Sequence, residues 1–149
     1  MLLEDKILND YKQAMKDRDA LKSGALSFLR SQFMNARIEK RREKLDDIDA
    51  IAVIKKLIKQ RQDSIEGFEA GNRQDLVDKE TQEMEILKTY LPEEMSREAI
   101  EQVVSEVIVA LGTTSMKDMG RVMKEVAAKT VGRADAKLTS EIVRNKLNG

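Results

Sequence analysis

The chain has 149 residues, of which 36% are charged and 41% hydrophobic, with a single proline. That length suits one domain or two small subdomains and is enough for a real core. Twenty-seven basic side chains balance 27 acidic ones, and cysteine, histidine and tryptophan are absent. Disulfide frameworks, thiolate or imidazole metal sites, cysteine nucleophiles and histidine general bases are thereby excluded, and no cofactor is expected. The first residues, Met1-Leu2-Leu3-Glu4-Asp5-Lys6, show no basic leader followed by an apolar run, so a cytoplasmic location is expected.

Apolar residues recur at three-and-four spacing almost throughout, which predicts an all-α protein of seven helices. The first spans about Leu2 to Lys16, with Leu3, Ile7, Tyr11 and Ala14 on one face. Asp19 is placed to cap the second, whose expected stripe is Leu21, Ala25, Phe28, Gln32 and Ala36. That helix should carry on, frayed, into the charged run Arg37 to Lys44. Asp46 or Asp47 opens the third, where Ile51, Ile54, Ile58, Ile65 and Phe68 form a heptad-like seam that lapses at Arg61. Gly71-Asn72 breaks the chain. A fourth helix turns Val77, Met84, Leu87 and Leu91 inward, and Pro92 prevents its continuation.

Beyond Pro92 the helices are shorter. Ser96 should cap the fifth, which bears Ile100, Val103, Val104, Val107 and Leu111 and ends at Gly112. Ser115 with Asp118 resembles a capping box for the sixth, whose apolar face is Met116, Met119, Met123, Val126 and Thr130 and which Gly132 ends. Asp135 caps the last, carrying Leu138, Ile142 and Leu147. Two helical subdomains are expected, a bundle of about four longer helices in 1–92 and a compact three-helix unit in 93–149.

Charge is unevenly spread along the chain. Residues 1–92 hold 18 basic and 18 acidic side chains, residues 93–114 one and five, and residues 115–149 eight and four. At about 100° per residue, Lys117, Arg121 and Lys124 fall on one row opposite the apolar face of the sixth helix. Lys137 and Arg144 share a side of the seventh. Such a ridge could track a phosphate backbone, although most charge rows are only the solvated face of an amphipathic helix. A denser cluster, Arg37, Lys40, Arg41, Arg42 and Lys44, is followed at once by Asp46, Asp47 and Asp49, which could neutralise it. No aromatic residue lies beyond Tyr90, so the basic tail has no platform for stacking single-stranded bases.

Catalytic constellations are not found. The pairs Glu66–Glu69 and Glu80–Glu83 read as surface charge, the latter matched by Lys79 and Lys88, and Ser115 and Ser140 have no activating base in view. Gly120 is anomalous, because glycine within a helix is about 1 kcal/mol worse than alanine. Close packing of the last helix near Ala134 and Ala136 is the preferred account, and close approach of a ligand's backbone is the alternative.

The same stretches carry a resemblance. Thr114-Ser115-Met116-Lys117-Asp118-Met119-Gly120-Arg121-Val122-Met123-Lys124, followed by Gly132-Arg133-Ala134-Asp135-Ala136-Lys137-Leu138, resembles the signature of the YqeY family. Lys59-Gln60-Arg61-Gln62-Asp63-Ser64-Ile65-Glu66 and Ile86-Leu87-Lys88-Thr89-Tyr90-Leu91-Pro92-Glu93 extend the likeness over nearly the whole chain. That family is similar to the C-terminal tail of GatB, the B subunit of the tRNA-dependent amidotransferase. The resemblance implies an all-helical protein of two subdomains whose tail-like part helps to hold tRNA, without the catalytic cradle of the B subunit. The function expected is therefore non-catalytic binding of tRNA or other structured RNA through Lys117, Arg121, Lys124, Arg133, Lys137 and Arg144. The alternatives are a protein-binding adaptor that uses the N-terminal helices and, more remotely, glutamine-dependent amidotransferase (carbon–nitrogen ligase) activity of the chain's own.

Overall fold

The structure, a computed structural model, describes residues 1–148. Among them the chain forms seven α-helices and no strand: α1 (Leu3–Lys16), α2 (Ala20–Lys40), α3 (Asp47–Ala70), α4 (Gln74–Lys88), α5 (Arg97–Leu111), α6 (Met119–Thr130) and α7 (Ala136–Asn148), with a 3-10 turn over Met116–Asp118. None is long and apolar enough to cross a membrane. The chain divides into two compact units, Met1–Leu91 and the part from Pro92 onward.

Side-chain caps start most of these helices where the sequence offers an oxygen acceptor. Asp19 accepts the Lys22 N–H at 3.0 Å, Asp46 that of Asp49 at 2.8 Å, Ser96 that of Ala99 at 3.1 Å, and Asp135 that of Leu138 at 2.8 Å. Each satisfies one of the amide groups that a helix start leaves without an intrahelical partner.

In the first unit α1 packs on α2 and α3 on α4, with α2 also touching α3 and α4. Ile7, Leu26, Leu29, Phe33, Leu45, Ala50, Ile54, Leu57, Leu87 and Tyr90 form its main core, and Ile65, Val77 and Met84 a smaller one. Burying each large apolar side chain contributes about 1.5–3 kcal/mol. The buried side of α2 is Ala25, Leu26, Leu29 and Phe33, not the stripe running through Phe28 and Gln32, and Phe28 is 43% exposed. Apolar residues occur all round this helix, so its neighbours choose the buried arc. Helix α2 carries on into the first residues of the basic run, as expected, but does not fray through it. It stops at Lys40, where Arg41 adopts a left-handed conformation (φ 54°) and the Arg42 N–H returns to the Arg37 carbonyl at 2.9 Å.

In the second unit α5, α6 and α7 enclose Ile100, Val104, Val107, Val122, Val126, Ile142, Val143 and Leu147. The expected capping box at Ser115 is replaced by a different device. The Ser115 hydroxyl accepts the Lys117 N–H at 3.2 Å and so caps the 3-10 turn, while the Asp118 carboxylate receives the Thr113 hydroxyl. Helix α6 therefore begins only at Met119.

A candidate nucleic-acid interface

The six cations singled out in the sequence are all exposed, and they occupy four local settings. Arg121 and Lys124 stand three residues apart on α6, about 60° around the axis, on the side away from buried Val122 and Val126. Lys117 does not continue their row as part of the same helix, because it belongs to the preceding 3-10 turn. That turn lies against α6 and α7. Lys137 and Arg144 share the solvent side of α7, but Glu141 stands between them and pairs with Arg97 of α5 at 3.8 Å.

Arg133 has a structural duty. Its Nε donates to the Glu93 carbonyl at 3.0 Å, and its own carbonyl accepts the Met95 N–H at 2.8 Å, which fastens residues 93–95 to the α6–α7 turn. Arg121 makes one exposed ion pair with Asp118 at 3.4 Å, a contact worth well under 1 kcal/mol in solvent. Among the described residues, no carboxylate lies in ion-pair range of Lys117, Lys124, Lys137 or Arg144.

Gly120 is not explained by packing, contrary to expectation. A methyl group built on it meets no side chain or neighbouring element within 4 Å. It sits exposed in the first turn of α6, in the same arc as Lys124. Ala127 and Ala128 are also exposed in that arc.

The N-terminal basic cluster is largely neutralised within its own unit. Arg37 pairs with Glu4, Lys40 with Asp49 at 3.2 Å, Arg42 with Asp49 at 2.8 Å and Asp46 at 3.5 Å, and Lys44 with Asp5 at 3.4 Å. Asp47 takes a different role and accepts the Leu3 N–H at 2.8 Å. Glu80 and Glu83 are likewise not matched by Lys79 and Lys88. Both face Arg61 of α3, with the Glu80 oxygen 3.0 Å from its Nη1. Among the described residues, no three carboxylates gather into a group able to hold a metal ion.

A protein-family model for YqeY-like proteins matches residues 4–147. The chain belongs to the YqeY family. YqeY relatives of known name agree with this over much of the molecule. It is 34% identical over 117 residues to "Altered inheritance of mitochondria protein 41, mitochondrial" of Vanderwaltozyma polyspora, covering 74% of this chain and 63% of that protein. The protein of the same name from Lachancea thermotolerans is 34% identical over 142 residues, 91% of this chain and 76% of its own length. That from Saccharomyces cerevisiae is 38% identical over 106 residues, 70% and 57% respectively. The chain thus spans somewhat under two thirds of the first of these relatives. These names overturn the cytoplasmic location expected from the N-terminal residues, since all three relatives are named as mitochondrial proteins.

Proposed function

We propose that this YqeY-family protein is a non-catalytic module that binds tRNA or other structured RNA through the basic faces of α6 and α7. The supporting observation is the state of the cations: Lys117, Lys124, Lys137 and Arg144 are solvated and free of carboxylate partners among the described residues. In the N-terminal cluster Arg37, Lys40, Arg42 and Lys44 are paired with carboxylates, and Arg41 is the exception among the described residues. Phosphate binding draws its free energy from released counterions, which requires side chains not already neutralised. Arg121 is available at small cost, whereas Arg133 is held by its backbone partner. Any link of this chain to tRNA-dependent amidation belongs to the same proposal and would consist in holding the RNA.

Filter binding of tRNA at several salt concentrations tests this reading. With about four phosphates contacted, the log–log slope is expected near −3 to −4. Lys117→Glu combined with Arg121→Glu should abolish most of the binding. Affinity no greater than that of an unrelated helical protein of similar charge, or unchanged by the double reversal, rejects it.

A protein-docking role for the first unit is the second reading. Helix α2 leaves Met34 49% and Ile38 71% exposed, more apolar surface than its solvent side requires. Pull-down by the full chain of a protein partner that survives nuclease treatment and is lost with Ile38→Lys would favour it.

A further inference from the structure

We propose that the cleft formed by α2, α3 and α4 binds a free α-amino acid, with the ligand's carboxylate on Arg61 and its ammonium on Glu80 and Glu83. Such a site belongs to the first unit alone, and it stands or falls independently of RNA binding. The cleft measures about 430 Å³, within the range of small-molecule sites. Phe28 and Leu57 give it apolar wall, and Arg61, Glu80 and Glu83 are the charged residues that line it.

Two deficits meet in this cleft. Among the described residues, Arg61 Nε is the one buried side-chain polar atom that has no hydrogen-bond partner. Buried donors are nearly always satisfied, because an unmade bond leaves the loss of hydration uncompensated. The guanidinium instead meets both carboxylates through Nη1. The second deficit is charge. One guanidinium serves two carboxylates that are only 24% and 15% exposed, so the trio carries a net negative charge where water screens poorly.

The cleft is thus short of one acceptor and one positive charge. A polyamine or metal cation would supply only the charge. A simple carboxylate or phosphate would supply the acceptor but add to the negative charge. An α-amino acid carries both, a few ångström apart. Its carboxylate accepts from the guanidinium edge that holds Nε. Glu80 and Glu83 each meet Arg61 through Oε2, so each keeps acceptor capacity for the ammonium. The ligand's side chain then lies towards Phe28 and Leu57, which favours an apolar one. Phe28 is the movable part: its ring centre is 5.4 Å from the guanidinium carbon and the residue is 43% exposed, so an outward swing opens Nε to the cleft.

Calorimetric titration of the full chain with leucine, N-acetyl-leucine, leucine methyl ester and spermidine is the test. Leucine is expected to bind saturably at millimolar concentration. The acetylated and esterified forms should bind about tenfold more weakly, since each lacks one of the two charges. Glu80→Gln keeps a polar group against Arg61 and removes the excess negative charge. The preference for leucine over N-acetyl-leucine should then collapse, a ratio that a purely structural ion pair would not move. Gly24→Leu adds bulk at the rim of the cleft, where a Cβ meets nothing within 4 Å, and should weaken leucine binding about tenfold by occupying that space. No saturable binding of leucine overturns the proposal, as does equal binding of the acetylated or esterified form, or binding of spermidine in its place. A leucine preference unchanged in Glu80→Gln, or full affinity in Gly24→Leu, overturns it as well.

Discussion

The Tyr90 hydroxyl donates to Asp10 Oδ2 at 2.7 Å, tying the turn after α4 to α1 across 80 positions of sequence. Tyr90 is 8% exposed, and the Lys6 ammonium lies 5.7 Å from its ring centre. Tyr90→Phe should cost about 1 kcal/mol, since it deletes one charge-assisted hydrogen bond and keeps the packing. Urea unfolding of the two proteins checks the figure.

The same contact predicts a pH dependence. Burial first, and the Asp10 hydrogen bond and charge after it, push the Tyr90 hydroxyl well above its ordinary value of 10.0. A folded-state value above the unfolded one means that the stabilisation is complete below about pH 10 and declines as pH rises past it. Stability measured between pH 8 and 11 should fall at the alkaline end in wild type. Tyr90→Phe should reduce that decline, and identical alkaline limbs would refute the assignment.

Arg61 joins α3 to α4 from a site where its side chain is 11% exposed, against Glu80 and Glu83 and with its guanidinium 5.4 Å from the Phe28 ring centre. Arg61→Ala strands two half-buried carboxylates and should cost about 2 kcal/mol. The loss should shrink when Glu80→Gln and Glu83→Gln are introduced first. A double-mutant cycle in urea measures this coupling, and additive losses would show that the three groups act separately.

Val131 ends α6 in a left-handed conformation (φ 46°), followed by Gly132 at φ 75°. A β-branched residue is strained there, while asparagine tolerates it. Because Val131 is 38% exposed, Val131→Asn forfeits little burial and should raise stability by about 1 kcal/mol. A Tm increase of several degrees in thermal unfolding is the expected reading.

Cations already engaged by carboxylates should not matter to RNA. Arg42→Gln with Lys44→Gln removes two charges from the N-terminal cluster, both paired with acids. tRNA affinity is expected to stay within twofold of wild type, against the large loss expected for reversal at Lys117 and Arg121. A comparable loss would mean that total charge governs binding, whatever its position.

Helix starts were legible because capping is local: Asp19, Asp46, Ser96 and Asp135 each meet an amide three residues onward. The inward face of α3 was legible in part: Ile51, Ile54 and Ile65 are buried, whereas Ile58 and Phe68 are only partly so, and Ala50 and Leu57, outside the expected seam, are buried with them. Helix α2 was not. Its apolar residues permit several faces, and α1, α3 and α4 selected Leu26, Leu29 and Phe33. Arg61 looked like a gap in a seam because its partners lie on another helix, 19 and 22 residues away.

The candidate site divides along the same line. Residue types and their short-range spacing, read from the sequence alone, determined an all-α chain, its family and the surplus of positive charge after residue 114. Only the tertiary structure decided which cations stay solvated, that Arg133 serves Glu93 and Met95, that Lys117 precedes α6, and that Gly120 faces open space. The reason is physical: caps and helical periodicity involve neighbours within about one turn, whereas charge pairing and the room around a Cα depend on which distant segments fold against it.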